Sequence, residues 1–528
     1  MTKSISRRGF LNLVGRAGGA AAVYQTMAAM GLLPVPEAYA GPPALAPHSG
    51  RGVHVAILGA GIAGMTAAFE LSRAGYRCTI LEARRRAGGR NWTLRRGDLV
   101  EEIDSRQHCD FSRGPEIYLN VGPARIPQHH QAILGYCRQF GVVLEPLVNE
   151  NRNAFFQSDR AFNGKPIRQR RFINDSRGYI AELLAKAINQ HALDDALTGE
   201  DRGKFLAMLR NFGALERGSG QYKGSSRLGY SEWPGAGDQP GTEIEPLPLA
   251  ELLKPSFAYF QLNWSEFIDF APTMLQPTGG MDRIARAFEA RVHPMIRYGA
   301  EVTAIKRAGD GVRILYGEAQ HGAPRALRAD YCLCTIPLTV LREIESDFSA
   351  EFKQAIATPG YENAIKIGFE AKRRFWEEDE QIYGGISWTE DDITQIWYPS
   401  TGFQGKSGVL LGAYVWSDEA EKRMGALSPD ARVTAALASG AKLHPNYRRD
   451  LAHGISVAWG KIPFSRGSWA EWTKETRAAA YATLNRGEPP IYLAGEHLSY
   501  VTGWQEGAVL SAHAAVKAID ARVRARKA

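Results

Sequence analysis

Residues 53–90 read VHVAILGAGIAGMTAAFELSRAGYRCTILEARRRAGGR, and no other stretch of the chain limits the fold as tightly. The apolar run from Val53 to Leu58 has the composition of a buried strand. Gly59, Gly61 and Gly64 then set out G-x-G-x-x-G, residues 62–74 have helical composition, and Tyr76 to Leu81 read as a second strand ending in Glu82. Each part answers a physical need. Gly59 permits the tight turn, Gly61 lets a pyrophosphate approach the backbone, and Gly64 lets helix and strand pack closely. The helix N-terminus favours an anion, and a carboxylate at position 82 can accept ribose hydroxyls. The unit predicts a parallel sheet flanked by helices and a dinucleotide site at its edge.

With 528 residues the chain is long enough for more than one domain. Its 44% hydrophobic and 23% charged content is that of a soluble globular protein. The net charge of +8 is spread along the chain with acidic residues interleaved, which argues against nucleic acid as a partner. Five cysteines without regular spacing make no disulfide framework, and Cys332-Leu-Cys334 sits in an apolar run with the look of a buried strand. Neither H-E-x-x-H nor paired C-x-x-C occurs, so no metal is expected.

The first residues, MTKSISRRGFLNLVG, place Gly9-Phe10-Leu11 after Arg7-Arg8 in the manner of a twin-arginine export signal. A weakly apolar stretch interrupted by Arg16 leads to Ala38-Tyr39-Ala40, a small-x-small cleavage site, and residues 41–51 read as a linker. The mature protein is expected outside the cytoplasm, periplasmic or secreted, with no membrane span.

Beyond Glu82 the chain continues into Gly88-Gly89-Arg90. This resembles the flavin amine oxidase family, in which a G-G-R loop lies along FAD. An arginine suits that place because its fixed fork meets phosphate or flavin oxygens. The C-terminal stretch IYLAGEHLSYVTGWQEGAVLSAHAAVKAI is similar to the same family's last motif: a short strand from Ile491, the turn Gly495-Glu496, and a helix beginning near Trp504. MLQPTGGMDRIARAFEARV and AEVTAI, the latter carrying Val302, resemble two further landmarks. The resemblance covers roughly residues 53–520. It implies an α/β fold with a Rossmann-like FAD domain of the glutathione-reductase type, assembled from residues 52–104, 273–350 and 485–528. A mixed-sheet substrate domain would comprise residues 105–164, 263–272 and 351–484. Residues 165–262, where GYIAELLAKAINQH and DRGKFLAMLRNFGALE carry apolar residues at helical spacing, would form a helical insertion.

Within that family NVGPARIP, residues 120–127, resembles the L-amino acid oxidase branch. There the arginine of this segment clamps the substrate carboxylate, a role that falls on Arg125. Tyr398, in QIWYPS, is implied as the second donor to the same carboxylate. Lys366, in NAIKIGFEA, is implied to hold a water near flavin N5. Gly503 and Trp504 would lie beside the flavin and Trp469 would wall it. The implied cofactor-binding set is Gly59, Gly61, Ala63, Gly64, Glu82, Ala83, Arg84, Gly89, Arg90, Gly122, Pro123, Ala124, Arg125, Val302, Trp469, Gly495, Glu496, Gly503 and Trp504. His108, His129 and His130 receive no role.

The activity so implied is oxidative deamination: hydride passes from Cα to FAD, the imino acid hydrolyses to a 2-oxo acid and ammonium, and oxygen is reduced to hydrogen peroxide. The partners would be an L-amino acid and oxygen, in a homodimer or larger homo-oligomer. Three other activities share the motifs: oxidative decarboxylation to an amide, an amine or polyamine oxidase with a structural Arg125, and a flavoprotein without turnover. Side-chain preference is not legible at this level.

Overall fold

The protein is described from a computed structural model, which covers residue 39 and residues 41–190, 198–258, 260–318 and 325–527. The twin-arginine segment lies outside the described residues apart from Tyr39. All described strands and helices lie in one compact unit, Pro43–Ala528.

The dinucleotide-type unit folds as its pattern requires. His54–Leu58 is a fully buried strand, Ile62–Arg73 a helix, and Arg77–Glu82 a second strand paired parallel to the first. Parallel neighbours need a crossover, and the helix supplies it. The sheet is completed from far along the chain, in the order Ile296–Tyr298, Arg77–Glu82, His54–Leu58, Tyr331–Cys334, Ile491–Leu493, all parallel. Such a sheet is covered on both faces, which is why Tyr331–Cys334 is buried throughout and its cysteines are core residues.

A second, seven-stranded sheet runs Ile167–Arg168, Phe155–Gln157, Gly385–Thr389, Gln395–Tyr398, Gly408–Val415, Ile365–Ala371, Leu451–Ala458. It is mostly antiparallel, with one parallel pairing between Phe155–Gln157 and Gly385–Thr389. Ile365–Ala371 lies inside it and is buried at every residue. Ile365, Ile367 and Phe369 enter one apolar cluster, which leaves Lys366 on the opposite face. Gln169–Asn189 and Gly199–Phe212 are the two helices whose spacing was legible, and Ala181, Ala185, Ile188 and Leu209 pack between them.

Within the segment expected as a linker, residues 41–51, Ser49 and Gly50 are tied to the rest of their unit. Ser49 Oγ donates to Asp520 Oδ1 at 2.6 Å, Gly50 N–H donates to Ala74 O at 3.0 Å, and Lys527 Nζ donates to Ser49 O at 2.9 Å. A segment of small and turn-forming residues can be clamped by partners distant in sequence, and composition does not see them.

Candidate active site

A cavity of about 760 Å³ lies at the carboxyl ends of the parallel strands, where open α/β sheets take ligands. Gly59 turns the chain there with φ of 101°, a conformation side chains rarely adopt, and its N–H donates to Leu81 O at 2.8 Å. A Cβ on Gly61 would meet no protein atom within 4 Å, and Gly61 lines the cavity; its bare backbone faces the space a ligand takes. A Cβ on Gly64 would stand 2.1 Å from Gly59 O, so Gly64 serves helix–strand packing and is not part of the lining. Glu82 is 4% exposed. Its Oε2 accepts Ala60 N–H at 2.7 Å and its Oε1 accepts Arg84 N–H at 2.9 Å, which aims a fixed carboxylate at the cavity. Ala63, Ala83, Arg84, Gly89 and Val302 complete this part of the wall. Backbone donors at a helix N-terminus, a glycine with open space before it and an oriented carboxylate together fit a dinucleotide's pyrophosphate and ribose.

The two ends of the chain meet on the same cavity. Arg90 Nη1 donates to Glu496 Oε1 and to Ser468 O, each at 2.8 Å, and Glu496 Oε2 accepts Gly503 N–H at 3.0 Å. The anion expected for Arg90 is thus supplied in part by the protein. Gly495 and Gly503 both have positive φ, and a Cβ on Gly503 would stand 3.4 Å from the Trp469 ring. Trp469 and Trp504 both line the cavity, and the helix Gln505–Lys527 begins directly after Trp504.

Gly122 and Pro123 carry the chain past the G-G-R loop. A Cβ on Gly122 would stand 1.8 Å from Arg90 O, so only glycine allows this approach. Lys366 Nζ reaches the same segment, donating to Gly122 O at 2.5 Å and Asn120 O at 3.3 Å. It also lies 4.6 Å from the centre of the Tyr414 ring, its cross-strand neighbour. Burial, with the charge of Arg125 adding to it, pushes the Lys366 ammonium down to about 7. Between about pH 7 and the unfolded lysine's value near 10.4, the unfolded chain binds the extra proton. The destabilisation by Lys366 is therefore fully present below about pH 7 and fades as pH rises toward 10. Lys366→Met is expected to raise the melting temperature at pH 6–7, with the gain shrinking at pH 9–10. A gain that does not depend on pH would refute a depressed lysine.

Arg125 adjoins the cavity and is not part of its lining. Its guanidinium carbon lies 4.6 Å from the Trp397 ring centre, 4.8 Å from Phe270, 5.3 Å from Trp264 and 5.8 Å from Trp504. Nη1 donates to Asn149 Oδ1 at 2.8 Å, and Asn149 in turn donates to Phe270 O. Among the described residues no carboxylate pairs with Arg125 in an ion pair, and the Asp269 carboxylate acts on it only from farther off; Glu116, the acid nearest in sequence, accepts instead from the Thr401 hydroxyl. Burial lowers the guanidinium to about 10, so it keeps its charge at neutral pH. An aromatic box holds a cation well, but it does not neutralise it.

Two positions expected at the site lie elsewhere. Tyr398 is 3% exposed, and its hydroxyl meets Ser387 Oγ and His444 Nε2, each at 2.7 Å. It faces a smaller cavity of about 80 Å³ that Ala124 also lines. The reason is strand alternation: residues 397 and 398 point to opposite faces, and it is Trp397 that meets Arg125. Tyr398→Phe is expected to cost about 1–3 kcal/mol of stability from the unpaired groups left behind. Substrate kinetics should stay within about twofold, checked by thermal unfolding beside steady-state assays. The tyrosine the cavity does hold is Tyr414, whose hydroxyl burial pushes up to about 12, against the opposing charge of Arg125. Tyr414, Trp459, Asn149 and three of the four rings around Arg125, Trp264, Phe270 and Trp397, were not singled out from sequence; they lie in segments that only the fold brings together.

Three comparisons bear on this cavity. The model of the family described as flavin containing amine oxidoreductase matches residues 62–520. An L-amino-acid oxidase of Siganus canaliculatus is 28% identical over 488 residues, spanning 88% of this chain and 85% of that relative. The flavin-dependent L-tryptophan oxidase RebO of Lentzea aerocolonigenes is 29% identical over 492 residues, 88% of this chain and 98% of the relative. Among solved structures a putrescine oxidase double mutant superposes with a TM-score of 0.59 at 20% identity, covering 89% of this chain and 100% of that one. The fold is thus an FAD-type Rossmann-like arrangement with a substrate-binding sheet, and the cofactor is FAD.

Proposed function

We propose, for a chain that belongs to the flavin containing amine oxidoreductase family, that it oxidises L-amino acids to 2-oxo acids, ammonium and hydrogen peroxide. One observation carries this reading: a charged guanidinium, Arg125, adjoins the FAD cavity, boxed by four rings and without an ion-pair partner among the described residues. A carboxylate is the anion that an amino acid would bring to it, and two parallel N–H bonds would fix its orientation.

FAD, when bound, supplies the two-electron oxidant and the reaction with oxygen. The chain's own residues supply position and field. Arg125 takes the carboxylate while Asn149 holds one of its nitrogens in place. Tyr414, whose hydroxyl stays protonated at neutral pH, replaces Tyr398 as the candidate second donor. Lys366, partly neutral near pH 7, holds a water with the help of two backbone carbonyls. Trp469, Trp459 and Trp504 keep bulk water from the reacting carbon.

A peroxide assay over the common L- and D-amino acids, with product masses, tests the reading. Peroxide with 2-oxo acids from L-substrates is expected. An amide as the main product would instead make the enzyme a 2-monooxygenase, and peroxide from simple amines alone would remove amino acids as substrates. The twin-arginine reading of residues 1–40 is a separate proposal, which fractionation after substituting Arg7 and Arg8 by lysine would test.

A further inference from the structure

We propose that His129, His130 and Asp269 form a binding site for a divalent metal ion of the zinc class, behind the cavity wall. His129 and His130 end the segment that begins at Arg125 and lead into the helix Gln131–Phe140. Asp269 comes from the segment that also carries Phe270, one wall of the Arg125 box. One ligand atom from each of the three residues falls within 4.8 Å of the others. His129 Nε2 lies 3.0 Å from Asp269 Oδ1, and His130 Nε2 lies 3.8 Å from the same oxygen.

A second observation is independent of that clustering. His130 is 2% exposed, and its Nε2 is buried with no hydrogen-bond partner. A buried imidazole nitrogen whose nearest acceptor is a carboxylate oxygen 3.8 Å away, beyond hydrogen-bond reach, is costly, and a metal ion between the two satisfies both. The chemistry of the set is selective. Two imidazoles and one carboxylate suit zinc and its neighbours in the transition series rather than calcium or magnesium. Metal–ligand distances of about 2.0–2.2 Å put tetrahedral ligand atoms about 3.3 Å apart. The two spacings to Asp269 bracket that value, and all three ligand atoms lie within 4.8 Å, so closure needs side-chain shifts and no backbone rearrangement. A cavity of about 400 Å³ beside the three residues gives water access to the remaining coordination position. Three protein ligands with one open position is the pattern of a zinc site that keeps a water in its fourth place.

The position would matter to the active site through packing. The His130 ring meets Trp504 edge-on at 5.0 Å, and Trp504 lines the FAD cavity. Joining Asp269 to His130 would tie the segment bearing Phe270 to the segment bearing Arg125. His129, His130 and Asp269 would act as positioning residues, since none of them lines the FAD cavity.

Equilibrium dialysis of the tag-free, flavin-loaded protein against zinc chloride, followed by metal analysis, tests the proposal. One zinc per chain is expected, with affinity at least tenfold weaker in His129→Ala and in Asp269→Asn. The exposed His129 provides a variant that leaves the core untouched. Cobalt in place of zinc should show the visible bands of a four-coordinate nitrogen and oxygen site, and His129→Ala should lose them. No saturable zinc binding, or binding unchanged in both variants, would overturn the site.

Discussion

Arg125→Ala is expected to lower kcat/KM for L-amino acids by about thirtyfold to several-thousandfold, in a protein that still purifies with FAD. Breaking one partner of a buried charge pair costs about 2–5 kcal/mol, and each 1.4 kcal/mol is a factor of ten. Flavin retention is expected because the Gly59–Gly61 turn, Glu82 and the Arg90–Glu496 pair do not depend on the Arg125 side chain. Arg125→Lys should recover only part of the loss: an ammonium keeps the charge but cannot offer two parallel N–H groups, and it fits a flat aromatic box less well. Steady-state kinetics on the three proteins, with flavin content from absorbance, separate these effects. Near-normal kcat/KM in the alanine variant would assign Arg125 to packing.

The second large effect concerns the cofactor. Gly61→Val should leave the flavin-free protein folded and weaken FAD binding at least about a hundredfold. The backbone at Gly61 has φ of −73°, which any residue adopts, and a Cβ there touches no protein atom within 4 Å. The added side chain would project into the open space before Gly61, where a pyrophosphate would bind, removing charge-assisted hydrogen bonds of about 1.5–3 kcal/mol each. Gly122→Ala makes the contrast. Its Cβ would stand 1.8 Å from Arg90 O, so that variant is expected to lose stability as well as flavin. Circular dichroism and thermal unfolding of apo-protein, beside FAD titration, distinguish the two. A Gly61→Val protein that binds FAD normally would move the pyrophosphate elsewhere.

What could be read from residues alone follows from how local the signal is. The strand, turn, helix, strand and acid of residues 53–82 are contiguous, so their geometry was legible to within a residue or two. Lys366 was placed on the correct strand face because Ile365, Ile367 and Phe369 mark the other one. Tyr398 was not, because Gln395–Tyr398 is four residues long and buried at every position, too short for alternation to mark which face meets Arg125. A buried strand leaves the choice between residues 397 and 398 to the sheet's neighbours, which are distant in sequence. Of the rings around Arg125 only Trp504 was legible; Trp264, Phe270 and Trp397 come from two further segments that the fold brings to it. His129 and His130 were uninformative until Asp269 was brought beside them.

The central claim is that the guanidinium of Arg125 receives the acid end of the substrate. It is tested most directly by the ratio of kcat/KM for L-phenylalanine to that for phenethylamine, which lacks only the carboxylate. A ratio of at least about thirty in the wild type, falling toward one in Arg125→Ala, is the predicted result. A wild-type ratio near or below one, unmoved by the substitution, would contradict it.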